Sequence, residues 1–170
     1  TSPPLAVMMG WSSRAQRASR PLSLDEQISL VEAVVDAVDV PVIAGAGSND
    51  TKAAVELTDR CTGAGAAGIL HVAGYYNRPS QAGLYEHFRA CAEATDKPVL
   101  LYDIPGRTGR KIETNTMIDL FTNVDNIIGV KDAAGSPGET ADCRSRPATR
   151  SYCARRDGGC DGHRRSAGPG

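Results

Sequence analysis

From Ser23 onward the apolar positions switch regularly between two periods. Ile28, Val31, Val34, Val35 and Val38 recur at helical spacing behind Ser23 and Glu26, which form a capping box. Val40 to Ala46 is instead a short β-branched run, the pattern of a strand buried on both faces, and it ends in Gly45-Ala46-Gly47. Ser48 to Asp50 supply cap chemistry for a helix over roughly Thr51 to Thr62, closed by Gly63. The alternation then repeats: a strand over Ala66 to Val72, and a helix from about Gln81 to Ala94 with Leu84, Phe88 and Cys91 on one face. A strand over Val99 to Ile104, a helix over Thr114 to Phe121 and a strand over Ile127 to Val130 complete it. This order, α-βα-βα-βα-β, is that of parallel βαβ units. A doubly wound sheet and part of a barrel fit it equally well, because periodicity does not choose between them.

The two ends do not share this pattern. Residues 1–21 show neither period 2 nor a sustained period of 3.6 and are left unassigned. Residues 142–170 contain no Val, Ile, Leu, Met, Phe or Trp, so this Arg-, Gly- and Cys-rich tail, 141–170, is expected to be disordered. The structured domain is therefore expected over 22–140. A chain of 170 residues suffices for one core. It is short for a closed eight-stranded α/β barrel, which takes about 250 residues.

The net charge of -1 averages over unlike segments. Residues 22–140 hold nine Lys or Arg against seventeen Asp or Glu, whereas the tail from 141 holds seven Arg and three Asp. Neither nucleic acid nor a membrane is an expected partner. The five cysteines form no regular framework, which points to reduced thiols. Cys61 and Cys91 read as packing residues. With no apolar run near the roughly 20 residues of a membrane span, a soluble cytoplasmic protein is expected.

Candidate chemistry sits at strand ends. Lys131 closes an apolar strand, where desolvation favours the free amine that Schiff-base formation requires. The competing reading is a lysine that reaches solvent or pairs with Asp132. Tyr102, at a neighbouring tip, is either a proton shuttle or an amphipathic core residue. Arg107, in the tight turn Pro105-Gly106-Arg107-Thr108-Gly109, could present a guanidinium to a carboxylate or simply be solvated. Tyr75 to Pro79 could form a lid, an intersubunit contact or an ordinary loop. Gly45-Ala46-Gly47 lacks the rest of a phosphate-binding motif and is assigned to close strand-to-helix packing. No two histidines have ligand spacing. Cys143, Cys153, Cys160 and His163 match no common zinc site, so no metal and no cofactor are expected.

The order and spacing of four motifs carry more than any one residue: G-A-G-S-N-D-T, G-Y-Y-N-R-P-S-Q-A-G-L-Y-E-H-F, L-L-Y-D-I-P-G-R-T-G and N-I-I-G-V-K-D-A-A-G. From about Leu24 to Thr140 the chain resembles the dihydrodipicolinate synthase family of pyruvate-dependent class I aldolases. The resemblance implies an α/β fold, part of a (β/α)8 TIM barrel with about four consecutive parallel strands. It implies a lyase of lysine and diaminopimelate biosynthesis that condenses pyruvate with L-aspartate semialdehyde. Lys131 would form the Schiff base, Tyr102 would pass protons beside it, and Tyr76 would complete a proton relay in a neighbouring subunit of a homotetramer. Arg107 would bind the carboxylate of aspartate semialdehyde; it also distinguishes the chain from the related sialic acid lyases. Asn49 and Tyr75 would lie where lysine binds as a feedback inhibitor.

One family motif is missing. Before the helix at Ser23 the family has a strand ending in Gly-Thr-Thr-Gly-Glu-Ser, which holds the pyruvate carboxylate, whereas this chain reads Ser13-Arg14-Ala15-Gln16-Arg17-Ala18-Ser19-Arg20-Pro21. Shifting the codons of Met8 to Pro21 by two nucleotides permits a sequence close to the missing motif. The expectation is that residues 1 to about 21 are out of frame and that a second frame loss follows Thr140. The expected result is a fragment of impaired activity. The alternatives are a non-catalytic product or another pyruvate-dependent aldolase of the same family.

Overall fold

The computed structural model describes residues 6–8, 22–75 and 77–134. Among them, five strands form one parallel sheet: β1 (Ala6–Met8), β2 (Val42–Gly45), β3 (Gly68–Val72), β4 (Val99–Asp103) and β5 (Ile127–Asp132). The helices are α1 (Leu24–Ala37), α2 (Thr51–Gly63), α3 (Gln81–Glu93), α4 (Pro105–Thr108) and α5 (Thr114–Asn123). Strand order across the sheet is β1-β2-β3-β4-β5, identical to chain order. A doubly wound sheet reverses its order at a switch point, so sequential addition resolves the choice that periodicity left open in favour of a barrel segment.

Burial shows which face the helices cover. Along β4, Val99, Leu101 and Asp103 are buried while Leu100 and Tyr102 are only half-buried. Val99 and Leu101 join Ile69 of β3, Val130 of β5 and the helix residues Leu57, Leu84, Phe88 and Leu120 in one core cluster. Register then fixes the other face. Val72, Tyr102 and Lys131 are cross-strand neighbours, and so are His71 with Leu101 and Asp103 with Asp132. Tyr102 and Lys131 thus stand on the barrel-interior face, and His71, Asp103 and Asp132 on the helix face.

The capping box reads out as expected. Ser23 Oγ accepts from the Glu26 N–H at 3.2 Å, and the Glu26 carboxylate accepts from the Ser23 N–H at 2.7 Å. Asp50 caps α2 through the Lys52 N–H and Ser80 caps α3 through the Gly83 N–H, both at 3.1 Å. The apolar stripe of α1 is narrower than its sequence suggested. Ile28 and Val31 are buried, Val34 and Val35 half-buried, and Val38 is the exposed non-helical C-cap.

Three departures have physical causes. β1 falls in the stretch left unassigned; three residues paired through backbone bonds are too few to display a period. The Pro105–Gly109 turn is one turn of helix, with Pro105 at its first position and Gly109 at φ +71° as a left-handed cap. β5 extends through Asp132, two residues past its last apolar position, because Ala133 N–H still donates to Asp103 O at 2.8 Å. Of residues 1 to about 21, where a frame loss is expected, only 6–8 are described, and the second expected frame loss after Thr140 and the tail 141–170 lie outside the described residues.

Gly47 shows why the β2–α2 junction needs small residues. A Cβ there would lie 2.5 Å from Val72 Cγ1 and 3.0 Å from the Val72 backbone nitrogen. Backbone cannot step aside as a flexible side chain can, so Gly47→Ala is expected to destabilise the fold by about 1–3 kcal/mol. A urea midpoint equal to that of the parent would contradict this.

Candidate active site

The carboxyl ends of β4 and β5 bring an amine onto a phenol. Lys131 Nζ lies 4.5 Å from the centroid of the Tyr102 ring. A ring face attracts an ammonium, yet burial acts in the opposite sense and sets the net direction: the pKa of Lys131 lies below the ordinary lysine value. The site therefore holds an amine more readily deprotonated than one in water, beside a group able to exchange protons. That pairing suits attack on a carbonyl carbon.

Arg107 is exposed on the short helix α4 at the same end of the sheet, just before the left-handed Gly109 cap. The preceding loop packs on this turn. Arg78, itself at φ +43°, places Nε 3.3 Å from where a Cβ of Gly109 would stand. Asn49 and Tyr75 are also brought together, the Asn49 side-chain oxygen accepting from the Tyr75 N–H, with Asn77 Nδ2 donating to Asn49 O at 3.4 Å. Tyr76 lies outside the described residues.

Sequence reasoning passed over Asp103. It is fully buried, its Oδ1 accepts from the Ile112 N–H at 3.2 Å, and its Oδ2 has no hydrogen-bond partner. Burial pushes its carboxyl up to about 6, with Asp132 raising it further and the Ile112 bond and Lys111 opposing. The available signal was its place in Leu101-Tyr102-Asp103: if Tyr102 faces the barrel interior, its neighbour must face the helices.

Gln81 was also missed. Its amide donates to Lys111 O at 2.9 Å, while its carbonyl oxygen accepts from Glu113 N–H at 3.0 Å and Thr116 Oγ1 at 2.9 Å, joining α3 to the segment after α4. Cys61 and Cys91 are buried free thiols, as packing roles require, and burial raises them to about 11 and about 12. Among the described residues no group of three or more His, Cys, Asp or Glu is arranged to hold a metal ion, and no helix is long and apolar enough to cross a membrane.

Sequence and fold both match known proteins. The family model described as the dihydrodipicolinate synthetase family matches residues 18–154. The 4-hydroxy-tetrahydrodipicolinate synthase of Cutibacterium acnes is 52% identical over 118 residues, which is 68% of this chain and 40% of that protein. The enzyme of the same name from Idiomarina loihiensis is 45% identical over 130 residues, 75% of this chain and 44% of that protein. Among solved structures, dihydrodipicolinate synthase DapA-2 of Bacillus anthracis superposes with a TM-score of 0.80 at 37% identity, covering 88% of this chain and 51% of that one. The enzyme from Cyanidioschyzon merolae, with lysine bound, gives a TM-score of 0.78 at 37% identity over 86% of this chain and 51% of that one. The chain thus spans about two fifths of the length of the curated relatives it matches. A strand-by-strand barrel segment, an amine on a phenol at its carboxyl end and a match over most of the sequence place this chain in the dihydrodipicolinate synthetase family.

Proposed function

We propose that this chain carries the Schiff-base half of a 4-hydroxy-tetrahydrodipicolinate synthase site, serving the condensation of pyruvate with L-aspartate semialdehyde in lysine and diaminopimelate biosynthesis. The observation that carries the reading is the partly desolvated Lys131 amine held over the Tyr102 ring. Its lone pair attacks C2 of pyruvate, and loss of water from the resulting carbinolamine leaves an iminium whose nitrogen remains Nζ. Tyr102 passes the protons that the hydroxyl needs in order to leave. Arg107, on its rigid turn, takes the carboxylate of the aldehyde. Tyr76 completes the relay in the active site of a neighbouring subunit of a homotetramer, and Asn49 and Tyr75 take part in a lysine site, a reading that their mutual contact supports. The cytoplasm is the proposed location.

A second reading, a family core without a working site, is favoured by the sequence Ser13 to Pro21, where the pyruvate-holding motif of the family does not occur. One experiment separates the two. Treating the protein with pyruvate and borohydride, then measuring intact mass and mapping peptides, is expected to give a reduced pyruvate adduct on Lys131. The adduct should vanish in Lys131→Ala. A folded protein that gives no adduct would establish the second reading.

A further inference from the structure

Asp103 links the two segments that carry the proposed chemistry. Its backbone oxygen accepts from Ala133 N–H at 2.8 Å, two residues after Lys131. Its Oδ1 accepts from Ile112 N–H at 3.2 Å, at the far end of the segment that contains Arg107. Between these anchors Thr108 Oγ1, itself buried, donates to Arg110 O at 2.8 Å or Ile104 O at 3.2 Å and closes the turn internally. Asp103 thus ties the end of this turn to the sheet, while Gln81 ties Lys111 and Glu113 on either side of Ile112 to α3.

The tether is unusual for a purely structural one. A buried carboxyl is expected to use both oxygens, yet Oδ2 has no partner, so an anion there would be only half satisfied. The ionisable groups that act on it are Asp132, its cross-strand neighbour on β5, and Lys111 on the loop. The first disfavours the anion and the second favours it.

We propose that Asp103 is a positioning residue whose carboxyl, accepting from Ile112 N–H, clamps the Arg107 segment to the tips of β4 and β5 and so fixes where the guanidinium stands relative to Lys131. In the neutral form the proton resides on Oδ2 and leaves Oδ1 to accept from Ile112. In the ionised form Oδ1 still accepts from Ile112, a bond that favours the anion, so the clamp operates in both forms. This inference rests on the assignment of Lys131 and Arg107 given above.

The clamp has a readout of its own in the amide exchange of Ile112 and in tryptic cleavage after Arg107 and Arg110, compared with exchange at the core position Leu70. Asp103→Ala is expected to speed cleavage at both arginines and exchange at Ile112 at least tenfold while Leu70 stays protected. Asp103→Asn keeps an acceptor for Ile112 and is expected to restore the parent's protection.

In borohydride trapping, Asp103→Ala is expected to retain the pyruvate adduct, while protection of that adduct from reduction by succinate semialdehyde, a probe with the same aldehyde and a terminal carboxylate, weakens about tenfold. If Asp103→Ala unfolds, Asp103→Ser, whose shorter side chain does not span to Ile112, decides by the same exchange and cleavage ratios. Unchanged Ile112 protection in a folded Ala or Ser variant overturns the clamp. An absent adduct in the parent overturns the Lys131 assignment instead and leaves the exchange result standing.

Discussion

Lowering the pH from 7 to 4 is expected to withdraw about 3 kcal/mol of stability through His71 alone. The imidazole is fully buried between β3 and α2, and burial holds its pKa down at about 3, with His87 adding to the shift. Thr58 Oγ1 gives its single proton to Ala54 O at 2.7 Å, so toward His71, 3.0 Å away, it can only accept. Nε2 therefore carries the hydrogen, and Nδ1 is left bare with no partner. A second proton on Nδ1 would place a charge and an unmatched N–H in the core. The unfolded chain meets no such barrier and protonates near 6.5. Between pH 6.5 and about 3 the unfolded state thus binds more protons, and stability drains away as pH falls. His87, depressed in the same direction by burial, adds to this limb.

His71→Leu is the measurement that isolates the effect. Thr58 keeps its bond to Ala54, so the variant is expected to stay within about 1–2 kcal/mol of the parent at pH 7. Its urea midpoint should not share the parent's His71 loss on acidification. Equal slopes for parent and variant between pH 7 and 4 would refute a buried neutral histidine.

Asp103→Asn is expected to raise stability at pH 7 by about 1–2 kcal/mol. The folded carboxyl ionises only near 6, against about 3.8 in a free chain, so its contribution is fully present below the lower value and lost as pH rises through the upper one. At pH 7 the parent holds an anion with one unpartnered oxygen, whereas the amide brings no charge and keeps the acceptor for Ile112. Urea titrations at pH 7 and pH 4 read the change, which should shrink or reverse at the lower pH. A variant less stable than the parent at pH 7 would show that the charge is compensated.

These two linkages oppose each other. From pH 7 to 4 His71 withdraws about 3 kcal/mol while Asp103 returns about 2, so together they cost the parent only about 1 kcal/mol. Each variant should expose the slope the other conceals: Asp103→Asn becomes the more acid-sensitive protein, and His71→Leu the less.

Much of the fold was legible because each signal was local. Ser23 and Glu26 lie three residues apart, and Ser80 and Asp50 cap their helices through adjacent amides, so one turn of chain contains the whole interaction. Strands β2 to β5 announced themselves as apolar runs closed by Gly, Pro or a polar tip. The strand β1 did not, since its evidence is its pairing with Val42 to Ala44 and not its own residues. Lys131 and Tyr102 were each readable as strand-tip chemistry. That the amine lies over the ring depends on the register between β4 and β5, and a bulge at Val99/Leu100 shifts that register by one residue.

The sequence by itself determined the alternation of helix and strand, the caps and the residue types at the strand ends, and its four motifs named the family. Only the tertiary structure decided strand order and the facing of each side chain. An apolar strand buried on both sides looks the same whichever neighbour it takes, so nothing within it states that β3 lies between β2 and β4. Once that order is set, a period of two sends Tyr102 to the barrel interior and Asp103 to the helices. A tyrosine and an aspartate adjacent in sequence thereby become a candidate proton shuttle on one face and a buried tether on the other.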